Sequence, residues 1–181
     1  MRHSEIFRKL IHLLGLIYIP AYDILGREGM IMAVGIITAI ATFIEILRHK
    51  YKILPEFLLR GYEKRSIGAY IHFGIAAFTI TVLLPRDACF VGIVVGSLGD
   101  GISGILKHLF SLGKNVASFG MFLSSAFTLY FLNLISPPAL IAIAVGVLAE
   151  RLEKVGNLYI NDNLTVPLTS ALAYYVLEIV L

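Results

Sequence analysis

Apolar runs of nearly bilayer length recur along almost the whole chain, and they restrict its folds more than any motif does. A helix needs about 20 predominantly apolar residues to cross a hydrocarbon core of ~30 Å. Runs close to that length occupy residues 7–25, 29–47, 67–85, 87–109, 118–136, 137–155 and 164–181. Of the 181 residues, 58% are hydrophobic and 15% charged, whereas soluble domains carry about 25% charged residues. The expected fold is an all-α integral membrane protein, with about seven transmembrane helices in one bundle and residues 1–181 as a single domain. Neither an internal repeat nor a low-complexity segment divides it. The first run, Leu10 to Ile19 behind Arg2, Arg8 and Lys9, imitates a secretory signal. Pro20, Ala21, Tyr22 and Asp23 follow it in place of a small-x-small cleavage site, so it reads as a retained span. The single cysteine, Cys89, excludes an internal disulfide and reads as a packing residue.

The bases sort by side. Thirteen of the fifteen Lys and Arg residues lie at the N-terminus and in the connections around residues 48–65, 107–114 and 151–154, against Arg27 and Arg86 in the intervening ones. Excess Lys and Arg mark cytoplasmic loops, so the N-terminus is expected in the cytoplasm and the C-terminus outside. The net charge of +3 is thereby a matter of topology and does not indicate a nucleic-acid partner. The same partition puts Glu45, Glu63, Asp100, Lys114, Glu150 and the Asn161-Asp162-Asn163 cluster at or near the cytoplasmic side. A site on that face, fed by a soluble donor, is favoured over a through-pore.

Within the apolar runs, polar residues are expensive: a charge at mid-bilayer costs about 2.5–3.5 kcal/mol on insertion scales and usually has a task. The stretch Gly92 to Lys114 carries one such acid, Asp100. On a regular helix Gly92, Gly96, Asp100, Gly104 and His108 share one face, making a small-residue groove with an acid in its floor. Lys9 and His12 share a face at the first run and suit either phosphate oxygens or membrane anchoring. Glu45 and Arg48 have the spacing of an i,i+3 ion pair. Glu63-Lys64-Arg65-Ser66-x-Gly68 is a basic patch for phosphates or for anionic lipid. Gly99-Asp100-Gly101 followed by Lys114, Ser118 and Gly120 supplies an acid for magnesium, a phosphate-binding lysine and a hydroxyl, without Walker A order. Asn161-Asp162-Asn163-Leu164-Thr165-x-Pro167 combines helix-capping residues with more oxygen ligands than a cap needs, a set that suits Mg²⁺.

Taken in order, these pieces resemble the membrane-bound CTP-dependent lipid kinases: dolichol kinases, phytol kinases and yeast-type diacylglycerol kinase. The resemblance rests on Arg8-Lys9-x-x-His12, Glu45-x-x-Arg48, Glu63-Lys64-Arg65-x-x-Gly68, Gly99-Asp100-Gly101, Lys114 and Asp162-Asn163-Leu164-Thr165-Val166-Pro167, which together cover nearly the whole chain. The last is the most specific. The resemblance implies transfer of the γ-phosphate of CTP, or another nucleoside triphosphate, to the hydroxyl of a membrane lipid alcohol such as dolichol, another polyprenol or phytol. It also implies a divalent cation, Mg²⁺. Asp100 and Asp162 are then the expected metal ligands, with Asn163 assisting. Lys64, Arg65, Lys114, Gly99, Gly101 and Ser118 are expected at the nucleotide, Lys9, His12 and Arg48 at the lipid and phosphate surface, and Glu150 or Glu45 as proton acceptor. The enzyme would be a multi-pass protein of the cell membrane with its site facing the cytoplasm, and a homo-oligomer is compatible with this. The chain departs from the family after Lys114, where Asn115, Val116, Ala117 and Ser118 stand in place of the usual Ser-x-Glu-Gly-Ser; this bears on donor choice.

Two other readings stay open at this level. A CTP-dependent lipid-phosphate cytidylyltransferase would join the same reactants by attack at the α-phosphorus. A small ion-coupled transporter would use the intramembrane acid as a relay, with inverted repeats expected.

Overall fold

The computed structural model describes residues 9–51, 67–108, 110–152, 154–155 and 158–181. These form α1 (Lys9–Tyr51), α2 (Ala69–Leu83), α3 (Arg86–His108), α4 (Lys114–Phe131), α5 (Pro137–Arg151) and α6 (Asp162–Val180). A minimal antiparallel hairpin, β1 (Lys154–Val155) with β2 (Leu158–Tyr159), links α5 to α6. Among the described residues three helices, α1, α3 and α6, are long and apolar enough to cross a membrane.

The core is organised around α3. Ala88, Cys89, Phe90, Val91, Ile93, Val94 and Val95 are all sealed from solvent, as expected of a helix that is apolar on every side. All five other helices touch it. Large apolar side chains instead cover the outside, including Ile24, Ile37, Phe127 and Ile179. An apolar surface of this extent belongs against lipid.

Although helical for nearly its whole length, α1 is not straight. Gly26 has φ 66° and ψ −179°, a conformation essentially reserved for glycine. Contacts on either side of it show a reversal. His12 stacks beside Phe73 (ring centroids 5.1 Å apart), while Thr38 packs against Gly74. In a straight helix residues 12 and 38 would be about 39 Å apart, so the chain doubles back at Gly26. The first limb runs parallel to α2, with Tyr18 hydrogen-bonded to Thr81 at 2.8 Å. The second runs antiparallel to it, from Gly35 beside Phe78 to Glu45 beside Gly68. Arg27 Nη2 donates to the Val82 carbonyl at 2.7 Å and Arg86 pairs with Asp23 at 2.6 Å, closing the turn end of the bundle.

Against the seven spans expected, three helices among the described residues meet the length and apolarity of a span. The runs 118–136 and 137–155 become helices of 18 and 15 residues, about 27 and 22 Å long at 1.5 Å per residue. Asn133, at φ 56°, ends the first. Ser136 starts the second by accepting from Ala139 N–H, with Pro137 and Pro138 in its opening turn. Hairpin β1–β2 replaces the tail of the second run.

Gly26 is the position where backbone conformation alone should matter, because a methyl group on its Cα would meet no other atom within 4 Å. Gly26→Ala is expected to lower unfolding stability in detergent by about 1–3 kcal/mol, measured by thermal or denaturant unfolding of the purified protein.

Candidate functional site

At the bundle end opposite Gly26, residues far apart in the sequence meet. Lys9 Nζ donates to Asp100 Oδ2 at 2.7 Å, and both side chains are under 10% exposed. His12 Nε2 lies 3.5 Å from the same oxygen and donates to the Gly96 carbonyl at 2.9 Å. Ser97 Oγ returns a hydrogen bond to the His12 carbonyl. Helix α6 approaches this junction through Pro167, which packs on Gly96.

Local helix irregularities create this junction. Residues Val94–Gly99 of α3 form a π-turn and Leu14–Ile17 of α1 a 3₁₀ turn, and the two face each other. A tightened turn shifts backbone hydrogen bonding, and Ser97 meets the His12 carbonyl at the edge of that turn. The π-turn also alters the register on α3. Gly92 and Gly96 face Pro167 of α6, while Gly101 and Gly104 face Leu13 and Lys9 of α1. The expected glycine groove is therefore occupied by the protein itself: a Cβ at Gly96 would lie 2.9 Å from Pro167 Cβ, and one at Gly104 would overlap the Lys9 stem. Gly99 likewise abuts Ser125 and Met121 of α4. Helix packing accounts for Gly99 and Gly101, the two glycines expected at a nucleotide.

The start of α6 completes this side. Asn161 Oδ1 and Asp162 Oδ1 both accept from the Asn163 backbone N–H and from its Nδ2, at 2.9–3.1 Å. Among the described residues no donor meets the Asn163 side-chain oxygen. Pro167 sits inside the helix and has no N–H for the Asn163 carbonyl four residues earlier. Two neutral oxygens of Asn163 are thereby released beside the Asp162 carboxylate. Asn161 Nδ2 lies 3.2 Å from His72 Nδ1, which is also 3.2 Å from the Gly68 carbonyl.

Glu45 is fully committed. Arg48 grips it bidentately at 2.6 and 2.8 Å, Gly68 N–H donates at 2.8 Å and the Tyr70 hydroxyl donates to Oε2. Four donors on a buried carboxylate fasten the end of α1 to the start of α2. Glu150 differs. Lys107 Nζ and Ser103 Oγ (3.3 Å) both donate to its Oε1, and among the described residues no donor meets Oε2. Ser103 lies one turn beyond Asp100 on α3. Next to Glu150, Arg151 donates to Ser118 Oγ at 3.0 Å and to Asn115 Oδ1 at 2.6 Å. That contact pins the start of α4, and with it the exposed Lys114.

The sequence-derived residues thus fall into separate groups: Lys9, His12 and Asp100; Asp162 and Asn163 at the start of α6; Glu45, Arg48 and Gly68; and Glu150, whose neighbour Arg151 holds Ser118 near Lys114. Lys64 and Arg65 lie outside the described residues. His72, Tyr70, Ser97, Ser103 and Lys107 join these groups without belonging to any of the sequence motifs. His72 carries the same signal as Glu45, a polar side chain one turn inside an apolar helix; Lys107 stands out in the sequence only as a topological charge. Among the described residues no three His, Cys, Asp or Glu side chains form a metal cage. Asp100 is engaged by Lys9, and Asp162 and Asn163 present oxygen donors at the start of α6, the ligand type that Mg²⁺ takes.

The Lys9–Asp100 pair makes a stability prediction. Removing one member of a buried pair strands the other charge, at about 3–5 kcal/mol. Lys9→Met is expected to destabilise on that scale, and adding Asp100→Asn should recover at least half of the loss in a double-mutant unfolding cycle.

Comparison with known proteins adds one relative. The chain is 25% identical over 185 aligned positions to an uncharacterized protein of Rickettsia prowazekii (strain Madrid E), a match spanning 92% of this chain and 91% of that protein. No family model and no solved structure matches it.

Proposed function

We propose that this protein transfers the γ-phosphate of a nucleoside triphosphate, CTP by preference, to the hydroxyl of a membrane lipid alcohol. The observation that carries the reading is the meeting of Lys9 and His12 with Asp100. These residues come from two of the sequence pieces that resemble the lipid kinases, and they are brought together across 91 residues of chain. In this reading the two limbs of α1 and helices α2 to α6 make seven membrane segments. The N-terminus and the polar end face the cytoplasm, in accord with the distribution of bases.

The chemistry required of the protein is positioning and charge neutralisation, because a phosphoryl group in flight leaves little covalent work to side chains. Asp100 and Asp162, with the Asn163 oxygens, would hold Mg²⁺, which when bound neutralises charge on the phosphate oxygens. Lys9 orients the Asp100 carboxylate, and His12 is held toward the same point by Gly96. Lys114 and the bases Lys64 and Arg65 supply positive charge for the triphosphate. Of the two candidate proton acceptors, Glu150 keeps a carboxylate oxygen that no described donor occupies, whereas both oxygens of Glu45 are taken. Glu150 is therefore assigned to the lipid hydroxyl and Glu45 to holding α1 on α2.

The test uses purified protein in detergent with Mg²⁺, a panel of lipid alcohols, and CTP labelled at the α or the γ position. Label from the γ position on the lipid is expected, with CDP released. Label from the α position on an added lipid phosphate, with pyrophosphate released, would instead identify a cytidylyltransferase. Asp100→Asn strands Lys9 and should lower stability, so its activity is read per folded protein, where transfer should fall at least about 100-fold. Glu150→Gln should lower turnover with unfolding little changed, and Glu45→Gln should mainly lower stability. Full activity in folded Asp100→Asn would overturn the assignment.

A further inference from the structure

The groove along the seam between the second limb of α1 and α2 is a different feature from the buried junction at Asp100. Two adjoining pockets, of about 420 and 520 Å³, lie end to end and share Thr42 and Ile46. Each falls in the 300–1,000 Å³ range of small-molecule sites. The upper pocket begins at Gly35, where the missing side chain bares Phe78, and passes Ala39. The lower one ends at Glu45, His49 and Lys50. From residue 35 to residue 50 the helix rises about 22 Å. One leaflet of a ~30 Å hydrocarbon core is about 15 Å deep, so the groove accommodates one chain reaching from headgroup level to the midplane.

Its two ends differ in chemistry. The upper part is apolar apart from the threonines. At the mouth, Glu45 is gripped bidentately by Arg48, and Lys50 adds an exposed ammonium to that lining, 5.3 Å from the centre of the Tyr51 ring. Arg48 Nη2 also donates to His49 Nε2 at 3.0 Å. His49 Nε2 also lies 3.5 Å from Glu45 Oε1, so Nδ1 is the ring nitrogen left to face a ligand. An ammonium and an imidazole N–H together suit an anionic oxygen headgroup better than an uncharged hydroxyl.

We propose that this groove binds a single-chain lipid phosphate monoester, its tail along Ile46, Thr42 and Ala39 toward Phe78 and its phosphate at His49 and Lys50. The proposal deepens the kinase reading, on which it rests for the source of the phosphate: the bound molecule is the phosphorylated product, held outside the junction where Asp100 lies.

The experiment places the full chain in phosphatidylcholine nanodiscs, without nucleotide, and adds a long-chain alkyl phosphate bearing a diazirine near the tail end. After irradiation, labelled positions are mapped by mass spectrometry. Labels are expected on residues 35–46 and on Phe78. Ala39→Trp and Thr42→Phe, both at exposed positions that line the groove, should each lower labelling about tenfold, the equivalent of ~1.4 kcal/mol. Ile36→Trp, on the exposed face outside the groove, should leave it unchanged. Lys50→Gln should weaken labelling by the phosphate but not by the matching alcohol. Equal labelling by a two-chain phosphatidylcholine probe, or labelling indifferent to both groove-filling substitutions, would overturn the proposal. Because no nucleotide is present, labelling of the groove does not depend on phosphoryl transfer. Conversely, γ-phosphate transfer by a protein whose groove is not labelled would overturn this inference and leave the kinase reading standing.

Discussion

The buried ion pair between Lys9 and Asp100 ties the beginning of the chain to its central helix. Each partner taken alone is expensive in an apolar bundle, since an uncompensated buried charge costs several kcal/mol. Together, at 2.7 Å, they fix the first limb of α1 against α3. Much of the surrounding sequence serves that contact. Gly101 and Gly104 clear the α3 surface for Leu13 and the Lys9 stem. Gly15 similarly lets α1 approach Ser97 and Phe73.

Around that pair the helices depart from ideality in a coordinated way. The π-turn of α3 and the 3₁₀ turn of α1 exchange reciprocal bonds, Ser97 to the His12 carbonyl and His12 to the Gly96 carbonyl. Pro167, packed into the glycine faces at positions 92 and 96, releases a carbonyl at the start of α6. Backbone polar groups freed from ordinary helical bonding therefore gather at one end of the bundle. In a membrane such groups are tolerated where protein or a polar cavity satisfies them. They gather at the end of the bundle where Lys9 and His12 meet Asp100.

The remaining polar groups lie on either flank of this end. Arg48, Glu45 and the Gly68 backbone hold the end of α1 to the start of α2, and His72 lies between Gly68 and Asn161 at the start of α6. On the other flank of α3, Ser103 and Lys107 meet Glu150, whose neighbour Arg151 anchors the start of α4. Polar positions that look alike in sequence consequently separate by role. Glu45 is saturated by donors, and Glu150 keeps an oxygen that no described donor meets.

The sequence by itself determined the class of fold and the residues worth attention. Apolar length and sparse charge specify membrane helices, because lipid leaves few other solutions. A polar side chain within such a run stands out at once, because its insertion cost needs a compensating partner. The tertiary structure decided what those residues face. A regular helical repeat places Asp100 on the glycine face with Gly92 and Gly96, yet the π-turn shifts the register, so that Pro167 fills the upper part of that face and Lys9 the lower. The reversal at Gly26, the saturation of Glu45 and the groove beside Phe78 likewise depend on contacts between segments distant in the chain. Periodicity reports which side of a helix a residue occupies; only packing assigns the neighbour on that side, and the neighbour decides whether a charge serves as an anchor or stays available for chemistry.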